Sequence, residues 1–290
     1  MFIKKVIRKL NLRLNQVEDR GLIKIEEMGE KIPKIIHQTY LTRNVNSDIE
    51  TNIKNLRNAN PDWEYRFYDD NDITIFIETN FPEILKFYNK INPKYGAARA
   101  DLFRYLLMYK DGGAYLDIKS TLAKPLDEIL SSSDQYILAH WEFSHNSVGR
   151  HTCINNTNGE YQQWHIICVK GHPFLKAVIE NVCKNIDLYN PLFHDVAMMG
   201  VLRTTGPIAY SLSILPIVNL HKHRAGFDND FGLIYSIFSN GFEGHKTLFT
   251  THYHDLKESI ITQSTLVELI FSIFRPLKDK LKNNLLNQNH

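Results

Sequence analysis

With 290 residues, 43% of them hydrophobic, the chain has ample material for a buried core and needs no staples to fold. Lys plus Arg number 34 against 32 Asp plus Glu, a formal charge of +2, which excludes a general attraction to nucleic acid and leaves any anion binding to a local site. Three cysteines, Cys153, Cys168 and Cys183, are odd in number and lack CxxC spacing, which excludes a disulfide framework or a zinc knot and fits a reducing compartment.

In chain order, the opening "MFIKKVIRKLNLRLNQ" has no uninterrupted apolar stretch of signal-peptide type. No segment reads as the roughly 20 apolar residues of a spanning helix. The expectation is a cytoplasmic protein that is at most peripheral to a membrane. Phe2, Ile3, Val6, Ile7, Leu10 and Leu14 form a stripe beside Lys4, Lys5, Arg8, Lys9 and Arg13, so residues 1–30 are assigned to an N-terminal basic amphipathic helix. Residues 261–290, with "TLVELIFSIFRPLKDKLKNNLL", are assigned to a second amphipathic helix and tail. Such helices can lie on an anionic membrane surface, and helices that pack on their own domain have the same pattern.

Between them, residues 31–260 read as one domain. "KIPKIIHQTY" is a Pro-led strand, "DIETNIKNLRNAN" has helical periodicity, and "NPDWEYRFYDD" is a turn, a strand and an acidic helix start at Asp70 or Asn71. Strand, helix, strand predicts a βαβ unit and an α/β fold with a mainly parallel sheet, whose ligands collect at the carboxyl ends of the strands.

"NPKYGAARADLFRYLLMYKDGG" is a helix stopped by Gly112 and Gly113, with Asp101 and Arg104 three apart on one face. After the glycines "AYLDIK" alternates: Ala114, Leu116 and Ile118 are expected to face the core, and Tyr115, Asp117 and Lys119 the other way. The glycine turn reverses the chain. Asp117 lies four residues beyond it, about 13 Å at strand rise, and Arg104 eight residues before it, about 12 Å at helical rise. A tight reversal therefore gathers Asp101, Arg104 and Asp117 near a strand end, as a site or as a structural ion pair.

The ordered blocks "IPKIIHQTY", "NPDWEYRFYDD", "ARADLFRYLLMYKDGGAYLDIKS" and "KPLD" resemble the sugar-binding-region glycosyltransferases that carry a DXD motif, among them the yeast initiating mannosyltransferase and bacterial capsule enzymes. "VKGHPFLKAVIENV", "TTGPIAYS" and "THYHDLKES" resemble later family segments. The resemblance implies a GT-A fold with a Rossmann-like nucleotide-binding half. It implies retaining transfer of a hexose (mannose, galactose or glucose) from a nucleotide diphosphate sugar to a glycan, lipid or protein acceptor.

By motif position, Asp101 and Arg104 correspond to residues that grip the donor sugar, and Asp117 to the first aspartate of the DXD. His37, Gln38, Thr39, Tyr115 and Lys119 are the donor-binding candidates. The family implies a divalent metal, Mn2+ or Mg2+, for which Asp117, His254 and Asp255 are the candidate ligands. Lys119 stands where the family has its second aspartate, and an ammonium cannot ligate a cation. Three readings stay open: Lys119 clamps a phosphate beside a metal, it replaces the metal as a point charge, or it pairs with Asp117 in a site that has lost catalysis and only binds nucleotide sugar or glycan. Trp63 matches a family aromatic and is open between stacking and core packing. His252 and His254 are open between site and strand surface, and His221 and His223 read as surface.

Overall fold

The computed structural model describes residues 20–142, 149–238 and 256–287, the last eleven of these by their backbone alone. The predicted βαβ unit is present as β1 (Ile35–Thr39), α1 (Ser47–Ala59) and β2 (Glu64–Tyr68), with β1 and β2 parallel from Ile35↔Glu64 to Thr39↔Tyr68. Asn46 caps α1 by accepting from the Ile49 amide. Asp69 caps α2 (Asp70–Asn80) in a reciprocal box with Asp72, which places the acidic helix start where the sequence put it. Then follow α3 (Pro82–Lys90) and α4 (Gly96–Lys110).

A tight reversal carries α4 into β3 (Gly113–Leu116). Gly112 and Gly113 have φ of 68° and 99°. A Cβ at Gly112 would lie 2.5 Å from the Lys170 amide nitrogen and one at Gly113 2.5 Å from the Ile35 carbonyl, so the turn requires glycine for both conformation and space.

Next come β4 (Thr121–Leu122), the short α5 (Leu126–Ile129), β5 (Tyr136–His140) and β6 (His165–Cys168). The chain continues through α6 (Pro173–Leu188), α7 (Pro191–His194), α8 (Ala197–Thr204), α9 (Pro207–Ile214), β7 (Arg224–Phe227), β8 (Leu233–Ile234) and α10 (Thr265–Asn287). The central sheet has the order β2-β1-β3-β6-β5-β7. Strand β6 runs antiparallel to both neighbours and the other contacts are parallel, so five strands share one direction.

Both faces of this sheet are covered. Tyr115, Tyr136, Leu138 and Ile166 pack with α4, α6 and α9 on one side, while Ile36, Ala114, Leu116, Ile137 and Ile167 pack with Leu56, Trp63 and Leu126 on the other. The expectation of one apolar and one polar face for "AYLDIK" is thus corrected: a mainly parallel sheet under helices on both sides buries both sets. Trp63 is core, its indole N–H donating to Asp127 Oδ1 at 2.9 Å.

Two further expectations change, one at the N-terminal end and one on the apolar segments. Residues 20–30 are not helical but run as a strap across the helices. The buried Glu180 carboxylate accepts from the Arg20 and Leu22 amides at 3.1 and 2.8 Å, Ile23 enters the core, and Gly29 donates to the Lys170 carbonyl at 2.9 Å. The run Ala197–Leu220 does have spanning length and apolarity, with mean hydropathy 1.3, yet it folds as α8, α9 and a final 3-10 turn whose inner faces are core. The stripe at residues 2–14 lies outside the described residues. Helix α10 carries Leu266, Leu269, Ile270, Ile273 and Phe274 exposed and buries Phe271. The three cysteines are free thiols.

Candidate active site

Strand β3 stops at Leu116, where its neighbour β6 begins at His165. The next residue, Asp117, donates its amide to the Trp164 carbonyl at 2.8 Å and then opens a turn in which Ser120 returns its amide and hydroxyl to the Asp117 carbonyl at 2.8 and 2.6 Å. Asn52 of α1 holds the far end of that turn through the Ser120 carbonyl at 2.9 Å. The motif residues therefore sit on a pinned turn at the carboxyl end of a central strand, where open α/β sheets bind ligands.

Helix α4 lies beside this turn and brings the predicted cluster together. Arg104 Nη1 is 3.0 Å from Asp117 Oδ1 and Arg104 Nη2 is 3.4 Å from Asp101 Oδ1. The guanidinium also donates to the Gln163 carbonyl at 2.8 Å and lies 4.9 Å over the Tyr115 ring. The Tyr115 hydroxyl donates to Asp117 Oδ1 at 3.3 Å.

Exposure separates the two carboxylates: the Asp101 side chain is 4% exposed and that of Asp117 is 22%. Burial raises the Asp101 pKa, opposed by Arg104 and by donors from Thr205 Oγ1 at 2.8 Å and Gln163 Nε2 at 3.0 Å. Arg104 is buried too, which works against its charge, but Asp117, Tyr115 and Asp101 outweigh this and hold it firmly cationic. Asp101 is a buried anchor and Asp117 is the carboxylate that solvent reaches.

Lys119 does not pair with Asp117. Its side chain is buried, with Nζ donating to the Tyr235 hydroxyl at 2.7 Å and lying 4.1 Å from the ring centroid. Burial lowers its pKa to about 8, partly offset by Asp117 and reinforced by Arg104.

The β1 candidates divide. His37 is fully buried, with Nδ1 against the Tyr68 hydroxyl at 3.1 Å and Nε2 against the Gly112 carbonyl at 3.0 Å, and burial lowers its pKa to about 4. As a donor-binding candidate it is corrected: it ties β1 to β2 and to the glycine turn, and both ring nitrogens are occupied there. Gln38 is linked to the site, donating to the Asp117 carbonyl at 3.2 Å and accepting from the Tyr65 hydroxyl at 2.9 Å. Thr39 donates to the Tyr68 carbonyl at 2.8 Å.

Sequence reasoning missed Gln163, Thr205 and Tyr235. Thr205 stood in the flagged "TTGPIAYS", where only the helix entry was read. Gln163 and Tyr235 sit in irregular segments that no periodicity marks. His221 and His223 flank Phe174 at ring distances of 5.7 Å each, away from the motif turn.

Among the described residues the metal expectation fits poorly. His254 and Asp255, like His252, lie outside the described residues. Among the described residues no group of three His, Cys, Asp or Glu side chains is placed to hold a metal. Asp117 contributes one carboxylate whose Oδ1 is already engaged, Asp101 is consumed by three partners, and residue 119 offers an ammonium where Mn2+ or Mg2+ would need oxygen.

Residues 46–136 match the family model described as the glycosyltransferase sugar-binding region containing a DXD motif. The chain is similar to inositol phosphoceramide mannosyltransferase 3 of Schizosaccharomyces pombe, 30% identical over 62% of this chain and 44% of that protein. It is also similar to inositol phosphoceramide mannosyltransferase 1 of the same yeast, 24% identical over 84% of this chain and 70% of that protein. It spans less than half the length of the first of these relatives. Among solved structures, the PaToxG glycosyltransferase is similar at a TM-score of 0.45 and 16% identity, over 74% of this chain and 78% of that one. Residues 46–136 are thus similar to the DXD-motif glycosyltransferase sugar-binding region, and the likeness to the yeast mannosyltransferases extends beyond that segment.

Proposed function

We propose that the chain is a retaining glycosyltransferase that moves a hexose, mannose first among candidates, from a nucleotide diphosphate sugar to a glycan or lipid acceptor. The observation that carries this is the Asp101–Arg104–Asp117 cluster: a solvent-reached carboxylate at a strand end, fixed by a buried guanidinium that is itself fixed by a second, buried carboxylate. Breaking a glycosyl–diphosphate bond builds positive charge on the sugar ring and negative charge on the departing phosphate. Preorganised charges of both signs stabilise those ends without reorganising during the reaction.

In this reading Asp117 faces the sugar, Arg104 fixes the Asp117 carboxylate, Asp101 keeps Arg104 in place, and Tyr115 orients Asp117. Gln38 and Thr39 border the nucleotide at the end of β1. The similarity to inositol phosphoceramide mannosyltransferases of yeast supports mannose and a lipid acceptor. The exposed apolar side chains of α10, followed in sequence by Lys278, Lys280 and Lys282, support attachment to an anionic membrane surface, which vesicle flotation with and without α10 tests.

The test of donor binding is a melting-temperature panel with GDP-mannose, UDP-glucose and UDP-galactose. A ligand at a hundred times its Kd stabilises the folded state by about 2.7 kcal/mol, a rise of roughly 4–5 °C for a chain of this size. No shift with any nucleotide sugar contradicts the proposal.

A further inference from the structure

Lys119 occupies an unusual place for a lysine. Its long side chain is 9% exposed, although lysine is among the residues least often buried without a paired charge. Among the described residues it forms no ion pair, and its hydrogen-bond partner is a neutral phenol, Tyr235 Oη at 2.7 Å. Arg104 already takes both nearby carboxylates, Asp101 and Asp117.

The lysine is nevertheless held deliberately. Its carbonyl accepts from the Ile237 amide at 2.9 Å, and its turn is closed by Ser120. The Tyr235 ring stands edge-on to Trp141 at 5.2 Å and to Trp164 at 5.6 Å. Ordering and burying a lysine costs free energy, and among the described residues Asp117 and the Tyr235 ring offset it only in part, because desolvation still lowers the Lys119 pKa. An anion bound at the motif turn would recover it.

Charge identifies the anion. At this position a carboxylate plus a divalent cation would present one net positive charge, and a single ammonium presents the same. We infer that Lys119 replaces the divalent cation at this site, its ammonium meeting the diphosphate of the nucleotide sugar directly, with Tyr235 holding it in position. This deepens the donor-binding reading above and rests on it. Lysine suits the task as a compact point charge with three rotatable donors, whereas a carboxylate pair would need the metal. Tyr235 is a positioning residue: it touches Lys119, and its effect on the donor passes through that contact.

The test is isothermal titration of the full chain with whichever nucleotide hexose raises its melting temperature, in excess EDTA and in manganese chloride. Wild type is expected to bind with the same Kd, within about twofold, in both. Lys119→Ala is expected to weaken binding about tenfold in both, the loss of one charge-assisted hydrogen bond. Lys119→Asp is expected to lose binding in EDTA and regain it with manganese. Tyr235→Phe, which keeps the ring but drops the hydroxyl, is expected to weaken binding a few-fold without creating manganese dependence. A wild-type Kd that rises tenfold or more on chelation overturns the inference and leaves the donor-binding reading standing. Failure to bind any nucleotide hexose in either buffer overturns that reading and this inference with it. The wild-type comparison requires no variant to fold.

Discussion

Replacing Arg104 by methionine separates a built charge cluster from a surface ion pair. Methionine keeps an unbranched apolar stem of similar reach and removes the guanidinium. Asp101, 4% exposed, would retain Thr205 and Gln163 as donors but lose its cation, and the Gln163 carbonyl would lose a 2.8 Å donor. Removing one partner of a buried ion pair costs about 3–5 kcal/mol because the other charge stays behind. For a chain of this length that is a fall in melting temperature of roughly 5–8 °C. The assay is urea unfolding at neutral pH, with the double variant Asp101→Asn, Arg104→Met alongside. Neutralising the stranded carboxylate should restore about 1–3 kcal/mol, as coupled neighbours do. A loss under about 1 kcal/mol for the single variant, or strict additivity of the two changes, would refute the description of Arg104 as the buried hub.

Thr205→Val removes a 2.8 Å donor from the buried Asp101 carboxylate and should cost about 1–3 kcal/mol in the same assay. Glu180→Ala frees the amides of Arg20 and Leu22. It should destabilise the protein by about 1.5–3 kcal/mol and speed hydrogen exchange at those two amides, whereas unchanged exchange would mean the strap is held elsewhere. Burial lowers the pKa of His37 to about 4 and of His165 and His172 to about 3, so between about pH 6.5 and those values the unfolded chain binds more protons than the folded one. Stability should therefore be fully present above about pH 6.5 and fall as pH drops, with a slope approaching about 4 kcal/mol per pH unit near pH 5 if all three contribute. Urea midpoints that stay flat from about pH 7 to 5 would contradict this.

Local signals were readable where one residue type has one physical use. Gly112 and Gly113 punctuated the α4–β3 turn, and the structure shows that a side chain fits at neither. From that turn, the rises of helix and strand were enough to bring Asp101, Arg104 and Asp117 to one height. Periodicity failed at "AYLDIK" because helices cover both sheet faces, so alternation carried no inside and outside. It also could not say that β3 ends at Leu116 and that Lys119 belongs to a turn. Gln163 and Tyr235 reach the site from irregular segments 62 residues beyond Asp101 and 116 beyond Lys119, and only the sheet topology brings them there. His37 looked available in sequence because a histidine's two hydrogen-bond partners are invisible until the fold supplies them. The strap at residues 20–30 was masked by the basic stripe that precedes it.

The most direct measurement is release of the nucleoside diphosphate from GDP-mannose, UDP-glucose and UDP-galactose by wild type and Asp117→Asn. Asparagine keeps the shape, and Asp117 is partly exposed on a turn whose main chain is held by Ser120, Trp164 and Asn52, so the variant should melt within a few degrees of wild type. The account predicts release from at least one donor by wild type and a rate lower by about a hundredfold or more in the variant, the scale of removing a preorganised charge at the reacting centre. Wild-type release rates in Asp117→Asn, or no release from any donor by the wild type, would contradict it.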